Sequence, residues 1–268
     1  MKLGTYHCHT TFCDGKNTAE EMVLSAIERG MPELGFSAHS SIATANYTLK
    51  SERVKDYIAT VNALKEKYRD SIRIYLGIEA DVVSNVDLSP YDYVIGSVHY
   101  VIPGGHRFDV DYSAESTRMI VKDFYSGDPY AYAEAYYSEV ETIYERTHPD
   151  IIGHFDLLTK FIEKDPILDL SHPRYIAARD RALEKLLSTP AVFEVNTGAI
   201  SRGYRTTPYP EDRVLLAIRD SGKKVVLNSD SHAASTIDCE FEATRRHLDD
   251  LGVGYYKTLE ELLKDTRG

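Results

Sequence analysis

The sequence contains no tryptophan and only three cysteines, Cys8, Cys13 and Cys239. Three scattered thiols cannot build a disulfide framework, so a reduced, cytoplasmic protein is expected. Positive charge is also short: 31 Lys and Arg stand against 42 Asp and Glu, a formal net charge of -11. Such an acidic surface repels phosphate backbones, which argues against nucleic acid or an anionic membrane as a partner. A small phosphorylated molecule stays compatible, provided metals or a few fixed cations reverse the sign locally. No apolar run approaches the ~20 residues of a membrane span, and the N-terminus lacks the layout of a signal peptide. Linkers, low-complexity segments and charge blocks are absent as well. One domain over residues 1–268 is therefore expected, with a large core. Twenty tyrosines are the main excess, and no motif accounts for them.

What is present begins in the first fifteen residues. Residues 2–6 read as a short strand running into His7-Cys8-His9. Alternate side chains of a strand share a face, so His7 and His9 project together while Cys8 turns to the core. Two imidazoles on one face at a strand's end are half of a metal site. Asp14 follows on a loop that Gly15 lets bend. The pattern then recurs: strands at residues 34–37, 73–80, 93–98, 150–153, 192–195 and 224–227 are each bounded by turn or helix signals. His39, Glu79, His99, His154, Asp230 and His232 fall at or just beyond their ends.

Between the strands, Thr18 and Glu21 make a capping box for a helix ending near Arg29. Residues 51–68 form a helix with Val54, Ile58, Val61 and Leu64 on one face. Residues 129–146 form a tyrosine-rich helix with Ala133, Tyr137, Val140 and Tyr144 inward. Ser171 is placed as the cap of a helix that begins with His172-Pro173, and residues 211–220 form another. A short strand at 254–256 and a C-terminal helix follow. The irregular stretch 101–126 is expected to lie over the site, as long segments after barrel strands often do.

Alternating strands and helices argue for a parallel sheet, and the length favours a closed barrel. Functional groups of such barrels sit at the C-terminal ends of the strands. Eight ligand-type residues, His7, His9, His39, Glu79, His99, His154, Asp230 and His232, fall there, and Asp14 on its loop is the ninth candidate. Independent strands would not all do this by chance. Nine groups suffice for two or three metals if a carboxylate bridges, and imidazole with carboxylate suits zinc, manganese or iron. His106, His148, His172 and His247 lie off the pattern and read as surface or capping residues.

His7-x-His9 with Asp14-Gly15, His39, Glu79 in Gly77-Ile-Glu-Ala-Asp, His99 in Gly96-Ser-Val-His, His154 in Gly153-His-Phe-Asp and Ser229-Asp230-x-His232 resemble the polymerase and histidinol phosphatase (PHP) family. The two Gly-containing segments around His99 and His154 look most like its histidinol-phosphatase branch. Ala38 and Cys13 depart from the family pattern, and neither removes a ligand. The resemblance implies a distorted TIM-like (β/α)7 barrel with three divalent ions at its mouth. His7, His9, Glu79 and Asp230 would hold one ion, Glu79 would bridge to a second on His99 and His154, and Asp14, His39 and His232 would hold the third. It further implies hydrolysis of L-histidinol phosphate to L-histidinol and phosphate, in histidine biosynthesis.

The chemistry fits phosphate-ester hydrolysis on its own terms. Paired metals acidify a bridging water into a hydroxide nucleophile and neutralise the phosphoryl group. Lys160 and Arg202 lie at the correct end of the barrel to hold the phosphate, with Arg107 and Arg205 weaker candidates, and Asp230 could return a proton to the leaving alkoxide. The alternatives are a phosphodiesterase or protein-tyrosine phosphatase on the same centre, an amidohydrolase-type enzyme, and a non-catalytic metal-binding module. An amidohydrolase usually needs a strand-end lysine, which is absent, and the full ligand set opposes a non-catalytic module.

Overall fold

The computed structural model describes residues 2–268. Among them eight strands form: β1 (Glu33–His39), β2 (Arg73–Asp81), β3 (Tyr93–Ser97), β4 (Tyr100–Val101), β5 (Phe108–Asp109), β6 (Ile151–Ile152), β7 (Val192–Asn196) and β8 (Val225–Asn228). Six make one parallel sheet in the order β1-β2-β3-β6-β7-β8, and β4 with β5 form a separate antiparallel ribbon. The six are continuous runs of buried residues but for Arg73 and Tyr75 at the start of β2. That is the signature of strands covered on both faces.

The N-terminal segment closes this sheet into a barrel. Gly35 and Ser37 of β1 donate backbone hydrogen bonds to Thr5 and Cys8 at 2.8 and 3.1 Å. On its other side His9 N donates to Ser231 O at 2.8 Å and Ser231 N to His7 O at 3.3 Å. The pairing segment is thus residues 5–9, later than the 2–6 expected, and it pairs through isolated parallel bridges to Leu34 and Ser231. Counting it, seven staves surround the core.

Tyr93 occupies the barrel interior because two strands omit side chains there. A Cβ on Gly77 would lie 2.2 Å from Tyr93 Cζ, and one on Gly35 would lie 2.4 Å from its hydroxyl. The hydroxyl donates to Phe36 O at 2.9 Å and also to Tyr6 O. Other tyrosines follow the same rule: Tyr57 is fully buried and donates to Gly77 O at 2.8 Å, and buried Tyr136 donates to Phe155 O at 3.3 Å. Part of the tyrosine excess therefore fills core volume while satisfying backbone carbonyls.

Helices pack outside. The first, α1 (Ala19–Glu28), starts with the expected capping box: Glu21 N donates to Thr18 Oγ1 and Thr18 N to Glu21 Oε2, worth about 1 kcal/mol. After α2 (Val54–Lys67) and α3 (Ala114–Phe124), the tyrosine-rich helix divides into α4 (Pro129–Val140) and α5 (Ile143–Thr147). Thr142 causes the break, because its hydroxyl and its N–H both turn back to Glu139 O, at 2.7 and 2.9 Å. The cap of α6 (Pro173–Leu187) is His172, not Ser171: His172 Nδ1 accepts from Arg174 N at 3.2 Å while the Ser171 hydroxyl is spent on Asp169. The short α7 (Gly198–Ser201), α8 (Asp212–Asp220) and α9 (Phe241–Leu251) precede α10 (Leu259–Arg267). Leu259 and Leu262 of α10 pack on Tyr6, Ile95, Ile151 and Val192, and Arg267 grips Asp150 with two bonds of 2.6 Å. That plug seals the N-terminal end of the barrel and leaves the opposite end to solvent. No helix is long and apolar enough to cross a membrane among the described residues.

Candidate metal centre

The strand-end residues meet at the open end. His7 and His9 point inward together, and Cys8 turns the other way into the core with Met22 and Phe36. Glu79 is the hub of the cluster. Its Oε2 lies 2.7 Å from His39 Nδ1, 3.4 Å from His7 Nε2 and 3.7 Å from His9 Nε2. Its Oε1 lies 3.0 Å from His154 Nε2 and 3.3 Å from His99 Nε2. Asp230 Oδ1 faces His9 Nε2 at 3.2 Å and His232 Nδ1 at 3.6 Å. Asp14 completes the set: its Oδ2 is 3.2 Å from His232 Nε2 and its Oδ1 is 3.6 Å from His39 Nε2. Gly15 allows that approach, since a Cβ there would stand 2.5 Å from the His9 carbonyl carbon.

All nine residues expected from the sequence are therefore brought together. Their ligand atoms fall into overlapping groups, each within 4.8 Å: His9 with Asp14, His39 and His232; His7 with His9 and Asp230; His7 with Glu79 and His154; His39 with Glu79 and His99. His9 shares a group with Asp14, His39 and His232, whereas the family resemblance had set those three apart.

Burial opposes charge on Glu79, but His39, His7 and His99 together hold its carboxyl well below the usual range. Asp230 is likewise held down, by Arg202 and His7 against the effect of burial. Burial, with His232 and His39 beside it, lowers His9 to about 3. Two buried ring nitrogens, His7 Nε2 and His9 Nε2, face Glu79 and Asp230 and make no hydrogen bond among the described residues. Unmet acceptors of this kind are costly in a protein interior unless something cationic satisfies them. The donor set, nitrogen and carboxylate oxygen without thiolate, fits hard or borderline divalent ions.

Two carboxylates that sequence reasoning missed hold the imidazoles in place. Asp81 Oδ2 accepts from His99 Nδ1 at 2.9 Å and from His99 N at 3.0 Å. Glu194 Oε1 lies 2.7 Å from His7 Nδ1. Asp81 sits two residues beyond Glu79, on the same strand face, and that spacing is a signal that could have found it. Glu194 has no such signal, standing in a strand that reads as core.

Above the cluster lies a cleft of about 360 Å3 whose further walls include Tyr47, Asp109, Tyr112, Leu157, Lys160 and Arg202. Both candidate phosphate cations thus reach it. Lys160 Nζ is held by Asp111, at 2.9 Å to the carboxylate and 3.0 Å to the carbonyl. Arg202 Nη2 lies 3.0 Å from Asp230 Oδ2 and its Nη1 lies 3.0 Å from His232 Nδ1. Gly198 makes room for that pair, because a Cβ there would meet Asp230 Oδ2 at 2.7 Å. Arg205 is buried against Tyr209, its guanidinium 4.6 Å from the ring, and Arg107 reaches Thr44. The stretch 101–126 contributes the ribbon β4–β5 and α3, and its Asp109, Asp111 and Tyr112 form one wall of the cleft. His172 caps a helix, His247 pairs with Asp212 at 2.7 Å and His148 ends α5 in a left-handed turn. A roomier cavity of about 570 Å3, bounded by Leu3, Met31 and Phe241, touches none of the nine.

Comparison with known proteins bears on the family and the fold. A family model described as PHP domain matches residues 5–198. The histidinol-phosphatase of Bacillus subtilis (strain 168) is 24% identical, covering 88% of this chain and 96% of that protein. Among solved structures, hisK from Listeria monocytogenes has a TM-score of 0.79 at 22% identity, covering 90% of this chain and 99% of its own. A Lactococcus lactis histidinol phosphate phosphatase, solved with zinc, L-histidinol and phosphate, has a TM-score of 0.70 at 21% identity and covers 95% of both chains.

Proposed function

The chain belongs to the PHP domain family, and from that premise we propose that it hydrolyses L-histidinol phosphate to L-histidinol and inorganic phosphate. The observation that carries the reading is one carboxylate, Glu79, ringed by five imidazoles beneath two cations that line the cleft. The Lactococcus protein of the same fold binds zinc, histidinol and phosphate, which is the ligand set this cleft would need.

His7, His9 and Asp230 with Glu79, Glu79 with His99 and His154, and Asp14 with His39 and His232 would hold three divalent ions, zinc, manganese or iron. Such ions supply Lewis-acid charge and an acidified water, the main demands of phosphate-ester hydrolysis. The chain's own residues do the rest. Arg202 and Lys160 bind and orient the phosphate from fixed positions. Arg202 is held by Asp230 and Lys160 by Asp111, so little side-chain freedom is lost when the phosphate arrives. Asp230, its Oδ2 beside Arg202, is placed to carry a proton from the attacking water to the leaving alkoxide. The small phosphorylated substrate fits a cleft of about 360 Å3, and histidine biosynthesis in the cytoplasm is the setting this activity implies.

The test is phosphate release from histidinol phosphate, tyrosine phosphate, p-nitrophenyl phosphate and a phosphodiester, with manganese or zinc added. A preference of several orders of magnitude in kcat/KM for histidinol phosphate is expected. Weak, even activity across the panel would overturn the substrate. Arg202→Ala should lower kcat/KM roughly 10- to 100-fold, mostly through KM, because a hydrogen bond to a charged group is worth about 1.5–3 kcal/mol. Steady-state kinetics check this, and an unchanged kcat/KM removes Arg202 from the site.

A further inference from the structure

We propose that Glu194 is a positioning residue that decides which nitrogen of His7 is free to hold a metal. The inference rests on the metal-dependent reading above. Glu194 is completely buried on β7, and its carboxylate offers acceptors only. Every position is taken: Oε1 accepts from His7 Nδ1 at 2.7 Å and Asn228 Nδ2 at 3.0 Å, and Oε2 accepts from His154 N and Asn196 Nδ2, both at 2.9 Å.

Three of these four donors cannot reverse. The His154 N–H is backbone. The Asn196 amide is locked because its oxygen accepts from Gly198 N at 2.8 Å, and the Asn228 amide because its oxygen accepts from Tyr6 N at 2.7 Å. Each must therefore turn its NH2 toward Glu194. Only the imidazole of His7 could present either a proton or a lone pair. Facing a carboxylate, it must keep a proton on Nδ1, so Nε2 is the nitrogen left to hold a metal. That Nε2 points at Glu79 and Asp230, 3.4 and 3.7 Å away, and makes no hydrogen bond.

Glutamine, nearly the same shape, would undo this. Its single oxygen can serve only one side of the carboxylate's place. Turned toward the fixed donors His154 N and Asn196 Nδ2, it presents its NH2 to His7 Nδ1 and to one fixed donor, Asn228 Nδ2. The imidazole must then accept there and carry its proton on Nε2, closing the ligand position. Turned the other way, the NH2 faces two donors that cannot move.

The experiment compares wild type, Glu194→Gln and Glu194→Asp equilibrated with buffered zinc, with zinc counted per chain by plasma mass spectrometry. Glu194→Gln should lose about one zinc at a concentration that saturates wild type, from a roughly 10- to 100-fold weaker position. Glu194→Asp keeps an acceptor-only group and should hold more zinc than Glu194→Gln. A residue that served packing alone would give the reverse order, since aspartate changes the volume and glutamine does not. Full zinc in Glu194→Gln, or that reverse order, overturns the proposal. Should Glu194→Gln not fold, 15N-histidine NMR of the zinc-loaded wild type decides: a ring proton on His7 Nδ1 is expected, and one on Nε2 overturns it. Neither readout uses a substrate, so loss of the histidinol phosphate assignment would leave both standing.

Discussion

Glu79→Gln should reduce turnover by about a thousandfold or more, a larger loss than removing a single oxyanion donor. Glu79 is the one carboxylate shared by both sides of the cluster, and the glutamine amide cannot accept at both of its ends. The NH2 would meet either His39 and His7 or His99 and His154, which lie 2.7 to 3.4 Å from the carboxylate oxygens. At least one imidazole pair then loses its anion, and the ions drawn to that pair should lose affinity with it. Kinetics and metal counting on the same sample test both halves. Near-wild-type rates with a full metal complement would end the reading of Glu79 as a bridge.

The largest effect on stability should come from a methyl group two residues away. Gly77→Ala would put a Cβ 2.2 Å from Tyr93 Cζ, and the ring cannot retreat because its hydroxyl is tied to Phe36 O and Tyr6 O. Overpacking at a rigid neighbour should cost about 3 kcal/mol, lowering the melting temperature by roughly 6–12 °C for a chain of this size. Since Gly77 and Glu79 share a strand face, activity should fall as well. Tyr93→Leu in the same chain should restore part of the lost melting temperature by freeing the space. A Gly77→Ala protein that melts with wild type would show that the barrel interior can yield.

The metal cluster was legible because strand geometry makes it so. A residue that ends an inward-facing strand has one place to go, and eight ligand-type residues at or just beyond such ends could be read without coordinates. Support for the cluster was much less legible. Glu194 stands among Val, Phe and Val, where alternation marks a core strand, and its meaning depends on amides at positions 196 and 228 that only the fold brings near. The tether between Lys160 and Asp111 spans 49 positions and joins a loop to an irregular wall. A helix break and a cap were missed where a side chain found a local partner, as Thr142 does in the backbone carbonyl of Glu139 and Ser171 in the carboxylate of Asp169. Hydrophobic periodicity carries no information about such local contests.

Closure of the barrel by residues 5–9 has a consequence for how the protein comes into being. The segment that carries His7 and His9 is made before every other stave of the barrel, yet it bonds to Asn228, Ser229 and Ser231, with side-chain partners 222 and 224 positions away. Until that last stave is synthesised, β1 to β7 can form only an open sheet with two bare edges, and contacts of such long range form slowly. Asp230 and His232 arrive with the same stave. The growing chain therefore displays the two histidines long before Asp230 and His232 can join them, so the candidate metal cluster is completed late in translation, in the same step that hides the exposed strand edges.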